Sequence, residues 1–169
     1  MDAPITILRT LHIIFGVLWF GYAALLAWVM IPAANNSDSG LEMLKTFYTK
    51  TNFNVWMPVV AIGTTLAGLI MWPMRTDGGM DLLAFGATGD IVMAIGALFG
   101  LLAFGHGAGA TGRFSDKFAK AAEAYDAAPS DANQQAMMES KDKMVLHGNI
   151  SVWLTFIALV CMSSARYLG

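Results

Sequence analysis

The sequence predicts an all-α integral membrane protein. It reads as a single membrane domain over residues 1–169, a four-transmembrane-helix bundle with an extramembrane helical hairpin between the third and fourth spans. Three observations predict this. Hydrophobic residues make up 56% of the chain and charged residues 13%, which is too apolar and too weakly charged for a water-soluble domain. Four apolar runs, at about 5–33, 53–72, 81–104 and 144–168, match the roughly 20 helical residues that cross a hydrocarbon core. Between the last two runs, 113–143 turns rich in Ala, Lys and Glu, the composition of a solvated helix.

The first span ends near Pro32 and is followed by the polar loop Asn35-Asn36-Ser37-Asp38-Ser39-Gly40. Leu41, Leu44, Phe47 and Tyr48 then recur at helical spacing, which predicts a short interfacial helix or a lead into the second span. The second span carries Pro58, which deletes one backbone hydrogen bond, and stops at Pro73. Its small residues Gly63, Ala67 and Gly68 suit close helix packing. Arg75-Thr76-Asp77-Gly78-Gly79 reads as a tight turn that makes the second and third spans antiparallel neighbours. The third span is glycine-rich, and its Gly96-x-x-x-Gly100 strip would admit another membrane subunit or a second copy of the chain. Gly105 to Gly112 interrupts the helical pattern and reads as a hinge or a surface of close approach. Ala128-Pro129-Ser130 is the hairpin turn, and the helix beginning at Asp131 can run through Lys143 into the last span.

Candidate functional residues are the polar groups inside these runs. An ionisable side chain within a span is expensive and marks a functional site by default. His12 lies in the first span, with Gly16 one turn later and Trp19 nearly one turn beyond, all on one face. A ring nitrogen beside bare backbone and a large aromatic suits a planar ligand such as haem. The plainer alternative is that His12 bonds a neighbouring helix and Gly16 lets that helix approach. Met162 falls at a similar depth near the end of the last span and could complete a His/Met pair, although twelve methionines make core filling the commoner role. His106 and His147 stand at comparable heights on adjacent antiparallel helices and could form a His/His site, or simply be an interfacial and a helix-start histidine. Asp90, inside the third run, reads as a proton or charge partner, or as a carboxyl near an interface.

Other chemistries are excluded. Cys161 is the only cysteine, so no disulfide framework, zinc cluster or c-type haem attachment can be built. Net charge is −2 with no basic tract, which argues against nucleic acid. No nucleophile elbow, paired carboxylates or phosphate loop supports hydrolase or transferase chemistry. The N-terminal apolar run is too long for a signal-peptide core. Three Lys/Arg flank the terminal side and seven the hairpin side, which predicts a cytoplasmic hairpin.

Leu11-His12-Ile13-Ile14-Phe15-Gly16-Val17-Leu18-Trp19-Phe20-Gly21, with Pro32 closing the helix and Ala165-Arg166-Tyr167 after the last span, resembles small bacterial membrane proteins of the copper-resistance D-like and HemJ-like groups. The resemblance lies mainly in the first span. It implies a haem b ligand at His12 and a bacterial inner-membrane location. The lysine that the HemJ-like group carries in a later span has no counterpart in the third span here, which argues against protoporphyrinogen oxidation. Three functions follow as expectations. The first is a haem b protein of electron transfer or membrane redox chemistry, possible as an oxidoreductase component. The second is a non-catalytic accessory subunit of a respiratory or photosynthetic complex, and the third is a small transporter.

Overall fold

The computed structural model describes residues 3–74 and 86–168. Among these the protein is helical, with no strand. Helix α1 (Ala3–Ala24) passes through a π-helical turn, Leu25–Met30, into α2 (Ile31–Asn35). Next come α3 (Gly40–Lys50), α4 (Phe53–Met74) and α5 (Thr88–His106). A second π-helical turn, Gly107–Thr111, joins α5 to α6 (Gly112–Ala127), and α7 (Asp131–Ser164) ends in a short 3-10 turn, Ala165–Tyr167. Four helical stretches are long and apolar enough to cross a membrane: Ala3–Asn35, Phe53–Met74, Thr88–Ala127 and Asp131–Tyr167.

The third helix was expected from about residue 81; residues 81–85 lie outside the described residues, as does the 75–79 turn, and α5 begins at Thr88 among the described ones. Asp90 therefore sits in the first turn of α5, where the N-terminal end of the helix dipole favours a carboxylate. Gly105 to Gly112 does not interrupt the helix. The backbone continues through the π turn, in which the Gly112 N–H donates to the Gly107 carbonyl.

The chain forms two compact units. The first comprises Met1–Gly21, Val59–Phe104 and Trp153–Gly169. Its helices meet through small residues. Gly96 of α5 takes the Cys161 and Met162 side chains of α7, and Gly100 faces Met162 and Ala158. The Gly96–Gly100 strip thus receives the chain's own last helix, running antiparallel to α5. Phe20 of α1 meets Phe156 of α7 at 5.9 Å. Large apolar side chains point outward instead, among them Ile13, Val17, Leu66, Leu69, Leu98 and Leu101.

The second unit comprises Tyr22–Pro58 and Gly105–Val152. Its core is built from large residues: Ile31, Leu44, Tyr48, Phe118, Met137 and Met144. α3 buries Leu44 and Tyr48 completely or nearly so. Tyr48 packs edge-on against Phe118 of α6 at 5.6 Å. Burial raises the Tyr48 phenol above its ordinary pKa, and a hydrogen bond with Ser115 opposes that rise. The α6–α7 turn is capped from both directions. The Ser130 hydroxyl accepts from the Asn133 N–H at 3.2 Å, and the Asn133 amide donates to the Ala128 carbonyl at 2.7 Å. Gly40 is required by close approach, because a Cβ there would fall on the Ala34 backbone.

Lys45 is buried in this unit, with its side chain 8% exposed, while its partners Glu42 and Asp126 are 68% and 54% exposed. Its ammonium donates to Glu42 at 2.9 Å and to Asp126, tying α3 to α6. The hydrogen bond to Asp126, then that to Glu42, raise the Lys45 pKa above the ordinary 10.5. A raised cation pKa gives stability that is fully present below 10.5 and lost as pH climbs through the folded value. The asymmetry of exposure sets an order of effects. Asp126→Asn with Glu42→Gln strands a buried ammonium, whereas Lys45→Met leaves two carboxylates that water can solvate. Thermal melts followed by circular dichroism should show the larger loss for the carboxylate double variant. Gly40→Ala should cost roughly 1–3 kcal/mol by the same measurement, and Ser39→Ala almost nothing.

Candidate functional site

The first candidate site is the α1–α4 seam. The half-buried His12 ring rests where a side chain on residue 68 would be, since a Cβ on Gly68 would lie 2.9 Å from its Cε1. Phe15 fills the equivalent space at Gly63, 2.6 Å from the Cβ position. The two helices are antiparallel here: residue 12 of α1 meets 68 of α4, and residue 15 meets 63. Gly16 faces the Thr64 methyl group, 3.6 Å from its Cβ position.

His12 Nδ1 lies 2.8 Å from the Thr64 carbonyl oxygen. A carbonyl can only accept, so Nδ1 carries the proton and donates it, and the Nε2 of the neutral ring is left with a bare lone pair. Among the described residues Nε2 makes no hydrogen bond. The Thr64 hydroxyl is satisfied within its own helix, donating to the Val60 carbonyl at 2.8 Å. Trp19 is buried, at 8% exposure. Met162 is engaged with Gly96 and Gly100 of α5.

The second candidate site lies in the other unit and unites His106 and His147. His106 Nε2 and His147 Nδ1 are 3.1 Å apart. His106 Nδ1 is 2.9 Å from the Ser151 hydroxyl, which is 2.8 Å from that of Thr111. Thr111 donates to the His147 carbonyl at 3.1 Å. Phe114 stacks on His147, with rings 4.9 Å apart and inclined by only 5°. The π turn brings Thr111 to this cluster from the end of α5. The 3.1 Å separation is a direct ring-to-ring hydrogen bond.

Thr64, Gly68, Thr111 and Phe114 were not identified as site residues from the sequence. Gly63 and Gly68 were readable as packing residues, and Ser151 as a face-mate of His147, but nothing in the pattern joins them to particular rings. Among the described residues no three His, Cys, Asp or Glu side chains gather as a metal site. Compared with protein-family models, curated proteins and solved structures, the chain matches none.

Replacing Gly68 tests the seam. Gly68→Leu should displace the imidazole and lower the thermal midpoint by the equivalent of roughly 1–3 kcal/mol. Gly21→Ala, where a Cβ meets nothing within 4 Å, should leave it unchanged.

Proposed function

We propose that the protein is a membrane-embedded haem b protein of electron transfer, with His12 as the iron ligand. The observation that carries this reading is the bond from His12 Nδ1 to the Thr64 carbonyl. Metal-ligating histidines donate their second ring nitrogen to a carbonyl or carboxylate in this way, which fixes the tautomer and raises the basicity of the other nitrogen. His12 has the proton on the required side, and its Nε2 is the nitrogen that would hold the iron. The donor fits haem b, which needs no cysteine attachment. When bound, the group supplies reversible one-electron chemistry at iron. The chain's own part is to hold the imidazole: Gly68 gives the ring its seat and Thr64 fixes its tautomer.

The four long apolar stretches and the outward-pointing Leu, Ile and Val side chains support insertion in a lipid bilayer. We place the protein in a bacterial inner membrane. The seven Lys/Arg on the hairpin side against three on the other support a cytoplasmic hairpin.

Absorption spectra of the purified protein, oxidised and then reduced, test the cofactor. Wild type should show a Soret band, and His12→Ala should reduce it to background while the helical circular dichroism stays. His147→Ala should leave the band in place. A wild-type preparation without haem, or an unchanged band in His12→Ala, would remove this role from His12.

A further inference from the structure

We infer that Arg113, Lys117 and Lys143 form a binding site for the headgroup phosphate of an anionic phospholipid, built around the Phe114 ring. The inference rests on the reading of the chain as a membrane protein and not on haem at His12.

The charge pattern sets the level of the site. Residues 91–112 and 144–165 contain no Asp, Glu, Lys or Arg. Each run is as long as a helix needs to cross a hydrocarbon core. They lie within the helical stretches Thr88–Ala127 and Asp131–Tyr167. Arg113 is the first charge after one run, and Lys143 is the last before the other. Both therefore mark the level at which hydrocarbon gives way to headgroups.

Contacts within the second unit bring the charges together. Lys117 of α6 and Lys143 of α7 hold their ammonium groups 5.5 and 6.0 Å from the centre of the Phe114 ring. His147 stacks on that ring at 4.9 Å and fixes it in place. Arg113 precedes Phe114 and stands one turn before Lys117, a spacing at which like charges repel. All three cations are exposed, and among the described residues none of them forms an ion pair or a hydrogen bond. The neighbouring acids are turned elsewhere. Asp116 pairs with Lys120 at 2.7 Å. Glu139, one turn before Lys143, accepts from the Gln135 amide at 3.2 Å. Asp142 is next to Lys143 in the chain, and adjacent residues on a helix do not face each other. The aromatic ring attracts both ammonium groups but gives their N–H donors no oxygen.

A phosphodiester supplies what this cluster lacks. It carries one negative charge and free oxygens that accept from several donors, and Arg and Lys are the side chains that hold phosphate. Basic clusters beside membrane helices bind anionic lipid headgroups in this way. Phospholipid is the source found at this level. Its acyl chains would run past Leu146 and Ile150, the exposed apolar residues that follow Lys143 along α7. A choline headgroup adds a cation beside three others, so the site selects an anionic lipid over a zwitterionic one.

The test uses the full-length protein, purified in a non-ionic detergent and stripped of lipid, with bound lipids counted by native mass spectrometry. Wild type should bind phosphatidylglycerol roughly tenfold more tightly than phosphatidylcholine. Lys117→Gln with Lys143→Gln should bring the two lipids within about twofold of each other. Lys120→Gln with Lys141→Gln, which removes the same charge elsewhere on α6 and α7, should keep the preference. Equal binding of the two lipids by wild type, or a preference unchanged in Lys117→Gln with Lys143→Gln, would overturn the inference. Displacement of phosphatidylglycerol by millimolar inorganic phosphate would overturn the lipid assignment in favour of a free anion. Recovery of the protein in aqueous buffer without detergent would instead remove the membrane reading itself. The wild-type comparison decides even if a variant fails to fold.

Discussion

Where α1 meets α4, two rings occupy the space of two absent side chains. Phe15 lies in the gap at Gly63 and His12 in the gap at Gly68. The remaining features of the seam follow from this close fit. Once the imidazole lies on the α4 backbone, its Nδ1 reaches the Thr64 carbonyl and its tautomer is set. Gly16 lies beside this contact, with the Thr64 methyl 3.6 Å from its Cβ position. A helix pair with bulkier residues would stand farther apart, and the ring could not touch the backbone at all. The ring's chemistry is thus a product of packing.

The two units solve the packing problem in opposite ways. The first puts Gly, Ala and Thr between its helices and turns Leu, Ile and Val outward. Burying large side chains brings helices together in water, but it gives no advantage where the surroundings are as apolar as the side chain. The second unit turns Leu44, Tyr48, Phe118, Met137 and Met144 inward, the ordinary arrangement for a domain in contact with water. It also shields Lys45 between two exposed carboxylates. The outward Leu, Ile and Val of the first unit are compatible with a membrane, as are the four long apolar helices.

Much of this was legible from residue patterns. The apolar runs gave the long helices, because length and hydrophobicity are additive properties of the sequence. Ser130 and Pro129 gave the hairpin turn. Gly105 to Gly112 read as a break because glycine is a poor helix former. Contacts of Thr111 with His147 and Ser151 hold that stretch in a helical path, and those contacts are distant in sequence. The pairing of His106 with His147 followed from their equal distance to the turn at Pro129. The seat of His12 on Gly68 did not, because spacing along α1 carries no information on the register of α4. Lys45 entered the sequence reading only as one of the seven hairpin-side Lys/Arg, although Leu41 and Tyr48 share its helical face.

The central claim is that the fold sets the protonation of His12. A neutral imidazole held on a backbone carbonyl through Nδ1 has Nε2 unprotonated, and ring 15N chemical shifts distinguish the two nitrogens directly. The measurement is made on haem-free protein at neutral pH, with His12 assigned by its absence in His12→Gln. The account predicts that His12 is a single tautomer with its proton on Nδ1 and a bare Nε2. A ring protonated on Nε2, or one averaging between the two tautomers as in a free imidazole, would contradict it.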